Sequence, residues 1–141
     1  MTLRIDALGL EAAPVLPVGV DRSGELAVPG PGDVGWYRFG PAPGDAGSVV
    51  LAAHIAYDGE DGVFRHLEEI DPGDAVEVGM DDGTSVLYRV TALAQYPKQA
   101  LPPEVWDRQG PPRLALVTCG GAFDPARRSY RSNVVAWAEP A

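Results

Sequence analysis

The chain of 141 residues is poor in the side chains that carry nucleophilic, metal-binding and polyanion-binding chemistry. It has one cysteine, Cys119, two histidines, His54 and His66, and one lysine, Lys98. A single cysteine forms no intramolecular disulfide, so the count leaves the redox compartment open. One cysteine and two widely separated histidines give no zinc site. The acidic stretch Asp58-Gly59-Glu60-Asp61-Gly62 lacks the spacing and terminal glutamate of a calcium loop, and reads as solvated. A net charge of −9 with a single lysine excludes a nucleic-acid-binding surface. No run approaches the ~18 apolar residues of a membrane-spanning helix. No basic-then-apolar leader opens the sequence either, so it is expected to be the soluble part of a longer protein.

What is abundant is punctuation. Seventeen glycines and 14 prolines cut the chain into short pieces, the pattern of an all-β domain of many strands. The length suits one domain with its own core, spanning residues 1–141. Strands are expected over residues 3–7, 14–18, 26–28, 48–54, 75–78, 85–96, 113–119 and 133–138. Asp81-Asp82-Gly83 is the hairpin turn between the fifth and sixth of these. Val86, Tyr88 and Val90 alternate and so share one buried face. One short helix is expected over 62–69, with Phe64, Leu67 and Ile70 inward and His66 outward, stopped by Asp71-Pro72-Gly73. Residues 28–35 and 40–47 read as long surface loops, and Trp36, Trp106 and Trp137 as core or rim packing.

Cys119 closes the apolar run Leu114-Ala115-Leu116-Val117-Thr118 and precedes Gly120-Gly121, which free the backbone for a sharp turn. Taken alone, a free cysteine is more often a small buried apolar residue than a nucleophile. A nucleophilic thiol reacts as the thiolate and, with a free pKa of about 8.5, needs a partner to take its proton or hold its charge. His54 ends another apolar run, Val49-Val50-Leu51-Ala52-Ala53, and its strand-end placement favours it over His66. An oxyanion could be met by the Gly120 and Gly121 amides or by an arginine fork. Arg127, Arg128 and Arg131 all follow the cysteine. If 113–119 and 133–138 pair, the return strand begins opposite Cys119 and Arg131 is the arginine best placed to reach back. The ordinary alternatives are a satisfied core histidine for His54 and a surface ion pair for Arg131.

The ordered set Leu116-Val117-Thr118-Cys119, His54 at an earlier strand end and Arg131 twelve positions after the cysteine resembles the sortases, and within them the class F group of actinobacterial type. Val34-Gly35-Trp36-Tyr37, Pro43-Gly44-Asp45-Ala46-Gly47-Ser48, Tyr96-Pro97-Lys98, Phe123-Asp124 and Tyr130-Arg131-Ser132-Asn133-Val134-Val135 extend the likeness along the chain. Two stretches depart from the group's usual pattern. Ala53-His54-Ile55-Ala56 stands where Gly-His-Val-Asp is usual, and Ser132 replaces an aspartate.

The resemblance implies an eight-stranded β-barrel with one or two short helices and long loops. It implies catalytic His54, Cys119 and Arg131, substrate contacts at Thr118 and Gly120, and no cofactor or metal. It further implies an extended substrate of Leu-Pro-x-Thr-Gly type, an amine acceptor such as a cell-wall precursor, and a monomeric enzyme anchored at the outer face of the membrane. The rival functions are a hydrolytic cysteine peptidase and a non-catalytic β-barrel peptide-binding module.

Overall fold

The computed structural model describes residues 1–20, 26–57, 59–97, 101–124 and 129–141, and their side chains except those of Tyr57 and residues 119–132. Eight strands close a barrel: β1 (Thr2–Ile5), β2 (Leu10–Val18), β3 (Val34–Tyr37), β4 (Ser48–Ala52), β7 (Ala75–Gly79), β8 (Ser85–Pro97), β9 (Arg113–Asp124) and β10 (Ser129–Pro140). Their order around the barrel is β1-β2-β3-β4-β9-β10-β8-β7. A separate two-stranded hairpin, β5 (Ala56–Tyr57) with β6 (Glu60–Asp61), follows β4. The pairs β2–β3 and β4–β9 are parallel and the other barrel pairs antiparallel.

The barrel interior is filled by alternate residues of most strands. Leu3, Ile5, Val76, Val78, Tyr88, Val90, Leu114, Leu116, Val134 and Ala136 are buried in one cluster. The alternation expected for Val86, Tyr88 and Val90 holds, with Tyr88 fully buried and Val86 packed on the cluster. β4 is buried at every position because it has apolar cover on both sides. Val49 and Leu51 face the interior. Val50 and Ala52 join Val105, Ala115, Val117 and Val135 in a second cluster on the outer side. The cover there is a 3₁₀ turn, Pro103–Trp106, which lays Val105 on the sheet.

Several expectations need correction. Residues 26–28 form no strand, only an isolated bridge from Leu26 to Val20. β3 lies in a stretch whose first half reads as loop. The expected helix over 62–69 is a series of turns ending in a single 3₁₀ segment, Leu67–Glu69. Its inward residues are right, since Phe64, Leu67 and Ile70 are buried. Their spacing of three matches the three-residue turn of a 3₁₀ helix better than an α-helix. The backbone follows it, with i→i+3 bonds from the Arg65, Leu67 and Ile70 amides. β9 does not turn at Gly120-Gly121 but runs on to Asp124, because β10 lies antiparallel beside it over almost its whole length.

Candidate active site

Three neighbouring strands bring the candidate residues to one end of the barrel. β4 and β9 run parallel in the register Ser48↔Arg113 through Ala52↔Val117. β4 ends there, but the Ala53 amide still donates to the Val117 carbonyl at 3.2 Å. Two positions beyond the Ala52↔Val117 rung stand His54 on one chain and Cys119 on the other. On the far side of β9, Cys119 is paired directly with Asn133 of β10, as the strand-return argument requires. Asn133 is in turn paired with Tyr96 of β8. The chain segments carrying His54, Cys119, Asn133 and Tyr96 therefore lie side by side across four strands.

Arg131 sits two positions along β10 from Asn133, where the β9–β10 register breaks. Ser132 opposes Gly120 and Tyr130 opposes Phe123, so β9 has one residue more than β10 between these rungs. An extra residue bends and twists its strand locally, and glycine tolerates the distortion. Gly120 is thus a rung of the ladder and Gly121 lies in the bulge beside it, rather than the two forming a sharp turn. Arg127 and Arg128 lie outside the described residues, as do Lys98 and Asp58.

Thr118 precedes the cysteine and is 4% exposed. Leu114 and Leu116 face the barrel interior while Ala115 and Val117 face the outer cluster, and alternation sends Thr118 inward. Its Oγ1 is buried with no hydrogen-bond partner among the described residues. Buried hydroxyls are normally satisfied, and an orphan costs about 1–3 kcal/mol. Thr118 adjoins segment 119–132 in sequence and in the ladder. Asn133, 8% exposed, is the other polar side chain buried here. Sequence reasoning gave it no role. Its position opposite the cysteine in the return strand was the available signal.

The two histidines differ as expected. His66 is exposed and pairs with Glu69 at 2.6 Å, its Nδ1 toward the carboxylate. His54 is half-buried at the strand end. Of the acidic residues that follow it, Glu60 and Asp61 lie in β6, where Asp61 is exposed and 3.7 Å from Arg65. The carboxylate absent from position 56 is thus not replaced by Asp61.

The opposite end of the same strands is a polar network. Arg113 donates from Nε to Ser48 Oγ at 2.8 Å and from Nη2 to Asp107 at 2.9 Å, and its guanidinium lies 5.3 Å from the Trp137 ring centre. Ser48 Oγ donates to the Glu104 carbonyl at 2.6 Å. An open groove of about 320 Å³ runs from Glu104, Arg113 and Trp137 at this end to Tyr96, and His54 does not line it.

The sortase-domain family matches residues 3–141. No curated protein sequence matches the chain. Solved structures of the same fold include sortase C1 of Streptococcus agalactiae, at a TM-score of 0.75 and 16% identity, covering 99% of this chain and 66% of that one. Sortase A from Corynebacterium diphtheriae aligns at 0.72 with 17% identity, covering 99% of this chain and 59% of that one. Sortase C from Clostridium perfringens SM101 aligns at 0.70 with 14% identity, covering 99% and 68%. The chain thus spans about two thirds or less of the length of these relatives.

Proposed function

Because the chain belongs to the sortase family, whose members are cysteine transpeptidases acting on sorting signals, we propose that residues 1–141 form one catalytic domain that cuts a Leu-Pro-x-Thr-Gly-like signal after threonine and joins the new end to an amine. The observation that carries the reading is the ladder Ala52↔Val117, extended by the Ala53 bond, beyond which His54 and Cys119 stand on adjacent chains. A thiol and an imidazole carried on neighbouring segments are the minimum from which a nucleophile and its own proton acceptor can be built.

The Cys119 thiolate attacks the threonine carbonyl carbon, forming a C–S bond and a tetrahedral oxyanion. Arg131, with its rigid fork of N–H donors, hydrogen-bonds that oxyanion; such a donor contributes more in the transition state than in the ground state. The C–N bond to glycine then breaks as the His54 imidazolium gives its proton to the departing amine. The resulting thioester is attacked by an acceptor amine, whose proton passes to His54, and the thiolate leaves. Thr118 and Gly120, on either side of the nucleophile, contact the substrate segment.

The motif string through Cys119 and Arg131 supports a class F assignment of actinobacterial type. The enzyme in this reading is a monomer tethered to the outer face of the cytoplasmic membrane, drawing its amine from a cell-wall precursor. No helix among the described residues is long and apolar enough to cross a membrane. Incubating the chain with a Leu-Pro-x-Thr-Gly peptide, with and without an added amine, tests the reaction. Cleavage after threonine with the amine incorporated is the expected result. Water-only products would make it a peptidase, and no cleavage with an unreactive Cys119 would make it a binding module.

A further inference from the structure

The β5–β6 hairpin leaves and re-enters the barrel at His54. At its base, the Gly62 amide donates to the Ile55 carbonyl at 2.7 Å and the Phe64 amide to the His54 carbonyl at 3.1 Å. Val63 ties the same segment to Pro31, its amide 3.0 Å from that carbonyl. Phe64 is fully buried in the barrel core, so the strap is anchored at depth. Gly62 lies so close that a β-carbon there would overlap the His54 carbonyl group and come within 3.0 Å of the His54 Cβ. Backbone atoms cannot yield as a flexible side chain does, so any side chain at 62 displaces the His54 peptide.

His54 is thus held from two directions. Ala53 ties it to β9 through the Val117 carbonyl, and the 62–64 strap holds its own carbonyl. Neither contact uses the imidazole ring; both are made by backbone atoms. We propose that Gly62 is a positioning residue of the active site, present because only a residue without a side chain lets the strap seat the His54 backbone at the end of the ladder. This rests on the transpeptidase reading above. Displacing a catalytic group by about an ångström costs as much as 100-fold in rate, and a β-carbon at 62 demands a shift of that order.

Gly62→Ala is compared with Gly59→Ala in the same hairpin. Gly59 has a φ of +80° and open space around it, so alanine there strains the turn without touching His54. Peptide turnover is measured for both, together with the ring Hε1 NMR signals of His54 and His66. Gly62→Ala is expected to lower kcat about tenfold or more, with KM within about twofold, and to move the His54 signal while His66 stays fixed. Gly59→Ala should leave kcat and both signals near those of the unaltered chain. Should Gly62→Ala fail to fold, replacing the Phe64 amide with an ester removes only the N–H that holds the His54 carbonyl. It is expected to move the same signal and lower kcat in the same direction. An unmoved His54 signal and unchanged kcat in whichever of these variants folds would overturn the proposal. Lack of Cys119-dependent turnover in the unaltered chain would instead overturn the transpeptidase reading.

Discussion

The two ends of the β4–β9 pair start from similar material and finish differently. At the Ser48↔Arg113 end the charged and polar groups find partners within the chain: Arg113 with Ser48 and Asp107, and Ser48 with the Glu104 carbonyl. Beyond the Ala52↔Val117 end stand a histidine, the only cysteine, and a buried threonine hydroxyl with no partner among the described residues. A polar group whose partners are internal contributes to stability and is unavailable to a ligand. The groups at the second end are the ones proposed to meet the substrate. Substitutions at the first end should therefore act on folding, and those at the second on turnover.

The largest separation is expected from Cys119→Ala, which should remove peptide cleavage by about 1,000-fold or more while leaving the melting temperature close to that of the unaltered chain. Kinetics and thermal melts on one preparation check both halves. Arg131→Lys keeps the charge but loses the planar fork, and should lower kcat by roughly 100-fold with little change in stability. At the structural end, Arg113→Ala leaves Ser48 and Asp107 short of a donor and uncovers Trp137. It should cost about 1–3 kcal/mol in denaturant unfolding with kcat within about twofold. A large loss of kcat there would break the comparison.

The smallest effect belongs to Tyr88, fully buried in the barrel and meeting the loop that leads into β4. Its hydroxyl accepts a hydrogen bond from the Gly44 amide at 2.9 Å, and burial, aided by Asp45, pushes its pKa above the usual tyrosine value. The folded chain then holds this proton more tightly than the unfolded chain. Stability from Tyr88 is complete below pH ~10 and falls as pH rises through the folded value. Tyr88→Phe should cost about 1 kcal/mol at neutral pH and flatten the alkaline part of the stability curve. Urea titrations between pH 8 and 11 would reveal whether that slope persists.

How much of this was legible in the sequence depended on how local the cause was. The cores of β4, β9 and β10 announce themselves as apolar runs, and the β7–β8 hairpin by its Asp-Gly turn. His54 and Cys119 could be matched because each ends such a run. β3 could not be recognised because four residues among prolines and glycines become a strand only by pairing with β2 and β4, which is decided far along the chain. The segment 62–70 misled through its spacing. Phe64, Leu67 and Ile70 suit an inward helical face, but an interval of three is met by 3₁₀ turns. Gly120-Gly121 suggested a turn, whereas the pairing with β10 draws Gly120 into the ladder and leaves Gly121 in a bulge. Gly62 carried no local signal, because its close approach to His54 exists only once the hairpin has folded back.

The central claim is that the Cys119 thiol forms a covalent acyl intermediate. Intact-mass spectrometry after an acid quench, on the chain mixed with a Leu-Pro-x-Thr-Gly peptide without added amine, tests it directly. The account predicts a Cys119-linked adduct with the mass of the peptide up to threonine, which disappears when an amine is added and does not form in Cys119→Ala. Cleavage of the peptide by the Cys119→Ala chain at the unaltered rate would contradict it.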